Sequence, residues 1–204
     1  MADPAKAVAY IELDDYLALE HASHEKHEYL DGVIYAIQGS TVRGMSGGSA
    51  AHADLTRNAG FALHSQLRGS PCSVKMSEMR LRINPANAVF YPDVLVHCQP
   101  LSDPANTLEL TDARLVIEVL SPGTERFDRT VKLAAYQQLA GLQHIVLIAS
   151  TRAAAWHCQR NTNNTWQGLQ DWPAGTDLPL PALGATLGWA AVFDGVFVDA
   201  APPA

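Results

Sequence analysis

The chain has 204 residues and a mass of 22.0 kDa, enough for one domain that buries roughly 70% of the surface its unfolded form would expose. Apolar residues make up 48% and charged residues 17%, which excludes a disordered or fibrous chain, and no apolar run approaches the length of a membrane span. The formal charge of -7 and pI near 5.5 exclude a surface coated in basic residues for non-specific nucleic-acid binding, but not a local basic groove.

The opening stretch MADPAKAVAYIELDDY lacks an apolar core of signal-peptide length. Cys72, Cys98 and Cys158 are odd in number and lack C-x-x-C spacing, so a disulfide framework is not expected and a reducing cytoplasmic setting is. In YIELDDYLALEH, Ile11, Leu13, Tyr16, Leu17 and Leu19 alternate with charges in the manner of a short amphipathic helix. A second short helix is expected over HEKHEYL, ending at the turn dipeptide Asp31-Gly32, and VIYAIQG then reads as a strand. After the glycines of RGMSGGS, Ser49 is placed to cap a long helix over residues 50–67, where Leu55, Ala59, Ala62, Leu63 and Gln66 recur at helical spacing.

Residues 72–83, CSVKMSEMRLRI, and 89–97, VFYPDVLVH, read as strands joined through the turn-forming NPAN. Pro92 marks a strand start, an edge or a bulge in the second. A loop from Pro100 to Thr111 precedes LVIEVL at 115–120, an apolar run with one carboxylate, Glu118. Asp128 opens a helix through Ala140, with Gly141 as its stop, and HIVLIAS at 144–150 is a second apolar strand. Strand, helix, strand implies a crossover with parallel pairing, hence helices covering a mixed sheet. From Trp156 the chain carries short strands and Pro-rich turns, then a short helix or turn near Leu187 to Phe193.

A carboxylate inside an apolar strand costs several kcal/mol unless paired, hydrogen-bonded or bound to a metal. Asp93 lies 25 residues before Glu118, at a strand of the same expected sheet. Two carboxylates converging from neighbouring strands repel each other when empty but hold a divalent cation through oxygen ligands. The competing explanation is that Asp93 is a turn residue and Glu118 meets an arginine.

At YPDVLV (91–96), LVIEVLSPGTERFDRTVKLAAYQ (115–137), HEYLDGVIYAIQG (27–39) and SGGSAAH, with His52 heading the long helix, the sequence resembles the Uma family of restriction-endonuclease-like proteins within the PD-(D/E)XK nuclease superfamily. The resemblance spans most of residues 10–150. It implies an α/β (α+β) fold with a restriction-endonuclease-like mixed sheet flanked by helices, one domain over residues 1–204 with a short N-terminal arm and a Pro/Ala-rich C-terminal tail. By the same resemblance Asp93 is the aspartate of the PD element and Glu118 the acidic residue of the second element, both ligating Mg²⁺ or Mn²⁺. The superfamily lysine two residues after that glutamate is Leu120 here, and Lys132 on the following helix is its expected substitute. Taken alone, Lys132 reads as an i,i+4 partner of Asp128 on a solvated helix face.

Glu28 matches an acidic residue that such nucleases carry on a helix near the N-terminus, with Glu25 and Asp31 as neighbouring alternatives, and His52 is a lower-ranked candidate for phosphate or carboxylate contact. The implied activity is metal-dependent hydrolysis of DNA phosphodiesters, with Lys132 supporting the nucleophile or the developing charge and Glu28 completing the site. A homodimer would let two sites face two strands, although no residue specifies an interface. The alternative is an inactive nuclease-fold module that binds nucleic acid or protein. His21, His24 and His27 match no zinc pattern. The glycine-rich stretch lacks a P-loop lysine, and Ser121 has no nucleophile elbow.

Overall fold

The computed structural model describes residues 10–36 and 49–197. The N-terminal arm, the RGMSGG stretch, the end of VIYAIQG and the Pro/Ala-rich tail lie outside the described residues. Helix α1 (Leu13–Ala22) forms as expected. The segment expected as a second helix does not: its HEYL half is strand β1 (His27–Leu30), which pairs antiparallel with β2 (Val33–Ala36). The reason lies in the turn. Asp31 and Gly32 both take positive φ, 42° and 87°, the geometry of a two-residue hairpin loop and the commonest short-range hairpin signal in a sequence. Helix α2 (Ala50–Leu67) starts at Ser49, whose side chain accepts from the His52 amide.

Both long strand readings divide. CSVKMSEMRLRI becomes β3 (Ser73–Met76) and β4 (Arg80–Ile83), and VFYPDVLVH becomes β5 (Ala88–Phe90) and β6 (Val94–His97). NPAN forms a one-turn 3₁₀ segment between β4 and β5. Each divided run feeds two different sheets, and the two breaks meet: the Ser77 amide donates to the carbonyls of Pro92 and Asp93 at 3.2 and 3.1 Å. Pro92, which has no amide hydrogen to offer a ladder, thus sits where the chain leaves one sheet for the other. The expected loop at 100–111 includes the two-residue strand β7 (Glu109–Leu110).

Strands β8 (Leu115–Leu120) and β9 (His144–Ala149) pair in parallel, as the strand-helix-strand order requires. Helix α3 between them runs in three consecutive parts, Glu125–Phe127, a π segment Asp128–Lys132, and Leu133–Tyr136. After β10 (Ala155–Gln159) and β11 (Gln170–Trp172), a hairpin of β12 (Leu178–Leu180) and β13 (Ala185–Leu187) leads into α4 (Trp189–Phe193). The central sheet has the order β11-β10-β9-β8-β6-β3 and the second sheet β2-β1-β5-β4-β7. This is a mixed α+β architecture with helices against the sheets, in agreement with the expected fold class.

The central sheet buries both faces, which is why β8 and β9 read as unbroken apolar runs. Val94, Val96, Ile117, Val119 and Ile148 pack with Leu55, Ala59 and Leu63 of α2 on one face. Val116, Leu120 and Leu147 pack with Phe90 of the second sheet and Tyr136 of α3 on the other. One cysteine expectation is corrected: Cys72 and Cys98 flank the Ser73–His97 pair of β3 and β6 and form a disulfide, leaving Cys158 as the free, buried thiol. No helix among the described residues is long and apolar enough to cross a membrane.

Candidate active site

Asp93 closes the crossing from β5 to β6, and β6 is hydrogen-bonded to β8 with Val94 opposite Ile117. This brings Asp93 to the strand that carries Glu118. Its Oδ2 accepts the Val119 amide at 2.7 Å, so the carboxylate is fixed on the backbone beside Glu118. His52, in the first turn of α2, approaches the same oxygen at 3.4 Å. Burial works against the imidazolium, but the hydrogen bond with Asp93 and its charge outweigh that, and the His52 pKa lies above its ordinary value.

Glu118 points to the face of β8 covered by α3, because Val116 and Leu120, two residues to either side, belong to that core. There it meets Lys132. The Lys132 Nζ lies 2.7 Å from Glu28 Oε1, 3.2 Å from Glu118 Oε1 and 3.6 Å from Asp128 Oδ1. Lys132 is only 4% exposed, so the solvated i,i+4 reading of this residue is wrong: it is a buried cation held by three carboxylates from three elements. The π segment of α3 spans Asp128 to Lys132, and such widened turns recur at functional positions. Both residues at its ends are buried.

Glu28 reaches this point from β1, not from a helix. The Tyr91 amide donates to its Oε1 at 3.2 Å, so the turn residues just before Asp93 also position Glu28. The neighbouring candidates stay outside: Glu25 and Asp31 are exposed. Sequence reasoning missed Tyr136, whose hydroxyl donates a short hydrogen bond to Glu118 Oε1. Its signal was available, since Asp128, Lys132 and Tyr136 recur every four residues on one helix face.

Three carboxylates, Glu28, Glu118 and Asp128, thus gather around one ammonium, with Asp93 held on the backbone of the strand that carries Glu118. Burial pushes the pKa of Glu118 well up, and those of Glu28 and Asp128 up, with the Lys132 charge opposing the rise in each. Burial also pulls the Lys132 pKa down, but Glu118, Glu28 and Asp128 together raise it well above the ordinary lysine value. Glu28 Oε2 and Asp128 Oδ1 are buried without a hydrogen-bond partner. No group of three or more His, Cys, Asp or Glu among the described residues is arranged as a ready metal shell. Glu28 and Asp128 nevertheless keep oxygens that no protein donor satisfies, and carboxylate oxygens are the ligands a hard divalent cation such as Mg²⁺ takes.

A family model described as "Putative restriction endonuclease" (Uma2) matches residues 13–191. The chain is 32% identical over 183 residues to the uncharacterized protein slr1290 of Synechocystis, covering 90% of this chain and 91% of that one. It is 30% identical over 153 residues to sll1609 of the same organism, covering 74% and 82%. A crystal structure of a "putative nuclease" from Anabaena variabilis superposes with a TM-score of 0.72 at 17% identity, covering 92% of this chain and 99% of that chain. With the family model spanning nearly the whole chain, this protein belongs to the Uma2 family of restriction-endonuclease-like proteins.

Proposed function

We propose that the protein is a divalent-metal-dependent endonuclease that hydrolyses DNA phosphodiester bonds. One observation carries the reading. Lys132 of α3 lies with its Nζ 3.2 Å from Glu118 Oε1 in a buried setting, which supports reading it as the substitute for the lysine absent at Leu120. An ion pair kept away from water contributes little to stability compared with an apolar replacement, so a buried Lys-Glu-Glu cluster is better explained by chemistry than by folding.

In this reading Asp93 and Glu118 hold Mg²⁺ or Mn²⁺, which when bound lowers the pKa of a water to the range where hydroxide forms at neutral pH. The Val119 amide keeps Asp93 oriented, and the Tyr136 hydroxyl does the same for Glu118. Lys132 keeps its proton, because three carboxylates surround it, and offers a fixed positive charge to a phosphate whose negative charge grows during attack. Glu28 anchors that ammonium at 2.7 Å. His52, in the N-terminal turn of α2 with its Nε2 3.4 Å from Asp93 Oδ2, would donate to a phosphate oxygen in this reading.

Calorimetric titration with Mn²⁺ and a cleavage panel of plasmid and single-stranded DNA test this together. The expected result is Mn²⁺ binding and DNA cleavage by the wild type, both lost in Asp93→Asn. Absence of cleavage with every metal and substrate, with Asp93→Asn binding Mn²⁺ as well as the wild type, favours the inactive binding module instead.

A further inference from the structure

Arg126 and Arg129 lie on the helix that carries Asp128 and Lys132, Arg152 lies in the turn after β9, and none of the three pairs with the carboxylate cluster. Glu118, Leu147 and Trp156 are register partners on β8, β9 and β10, so their side chains share one face of the central sheet. Strands lie about 4.8 Å apart, which sets Trp156 about 10 Å from Glu118. The Arg129 guanidinium, on the same helix as Lys132, stacks over the Trp156 ring at 3.5 Å from its centre and pairs with Glu125 at 2.8 Å. Arg152, in the turn between β9 and β10, approaches the same ring at 5.7 Å. Arg126 and Arg152 are exposed, and neither forms an ion pair among the described residues.

We propose that Arg126, Arg129 and Arg152 form a shelf that contacts the phosphates of a nucleic-acid backbone leaving the carboxylate cluster. The proposal rests on the nucleic-acid reading of that cluster. A chain of net charge -7 with its gathered carboxylates repels a polyanion, and cations beside the cluster are what offsets that repulsion locally. The shelf contacts phosphate and not base: Trp156 packs one side against the core and carries Arg129 on its ring, which leaves no face for stacking. Exposed Asp171, the register partner of Trp156 on edge strand β11, repels phosphate and sets the outer limit of the path. Binding through the shelf is therefore independent of sequence and sensitive to salt.

The test is fluorescence anisotropy of labelled duplexes of two unrelated sequences, with the full chain, in EDTA, across a salt series. Arg126→Ala and Arg152→Ala are each expected to weaken binding about fivefold for both duplexes and to lower the logarithmic salt slope by about 0.9. Arg68→Ala, at the far end of α2, is expected to change neither. Wild-type slope and affinity in both shelf variants, or no duplex binding by the wild type at low salt, overturns the shelf. Cleavage in Mn²⁺ is scored separately: shelf-dependent binding without any cleavage refutes the nuclease reading and leaves the shelf standing.

Discussion

Lys132 and Glu118 approach to 3.2 Å from opposite sides of a helix-sheet interface, with each side chain 4% exposed. The lysine is 14 residues after the glutamate in the chain, and the helix that follows β8 returns it to the carboxylate. The crossover from β8 through α3 is what brings the two side chains together.

Replacing Lys132 by Met removes the ammonium that Glu28, Glu118 and Asp128 share. Breaking a buried pair on one side leaves uncompensated charge and costs about 3–5 kcal/mol. Urea denaturation at pH 7 is expected to show a loss of that order together with loss of DNA cleavage. A variant that keeps wild-type stability contradicts the buried cluster.

Tyr136→Phe deletes the hydroxyl that donates to Glu118 while keeping the ring against Phe90. Leaving a buried acceptor without this donor costs about 1–3 kcal/mol. A fall in kcat is expected, with KM nearly unchanged, since the residue orients Glu118 and touches no substrate. An altered KM with normal kcat would place Tyr136 at the substrate instead.

Gly32 positions Glu28 from a distance. It takes φ 87° in the β1–β2 turn, and a Cβ there would run into the Tyr10 ring. Gly32→Ala is expected to destabilise the protein by more than about 1 kcal/mol, whereas Gly175→Ala, where positive φ is retained but open space surrounds the site, should cost less. Thermal melts of the two variants give the comparison.

The stacked pair His144 and His157 predicts a pH dependence. Burial lowers both pKa values to about 4, with His157 adding to the effect on His144. In the unfolded chain each titrates near its ordinary value of about 6.5, so the unfolded state binds more protons between these limits. Stability contributed by the neutral pair is complete above about pH 6.5 and is lost as the pH falls toward 4. For fully buried His144 this is worth roughly 2–3 kcal/mol. Denaturant unfolding at pH 7 and 5 is expected to show the loss, and His144→Leu to flatten it.

Much of this was readable beforehand, and the exceptions share a cause. Helix α2, the apolar strands β8 and β9 and their parallel pairing follow from periodicity and chain order, which are local signals. Asp93 and Glu118 stood out because a carboxylate in or beside an apolar strand needs an explanation. HEKHEYL is too short for its period to tell helix from strand, and the Asp31-Gly32 dipeptide fits a helix end as well as the hairpin it closes, so the strand that carries Glu28 is not legible locally. The breaks at Ser77 and Pro92 exist because the chain must serve two sheets, a tertiary demand that strand propensity cannot express. The Cys72–Cys98 disulfide depends on the pairing of β3 with β6, and the Arg129–Trp156 stack on β10 lying two strands from β8. Tyr136 differs: its place on the face of Asp128 and Lys132 is legible from the spacing, but a tyrosine on a buried helix face reads equally well as core.

The most direct test is cleavage of supercoiled plasmid in Mn²⁺ by wild type and Glu118→Gln, with both proteins first shown to be folded by circular dichroism. Glutamine keeps the shape and an acceptor for Tyr136 while removing the charge that holds a cation. The account predicts metal-dependent cutting by the wild type and a loss of at least about a hundredfold in the variant. Equal cutting by both proteins, or cutting by the wild type that EDTA does not abolish, contradicts it.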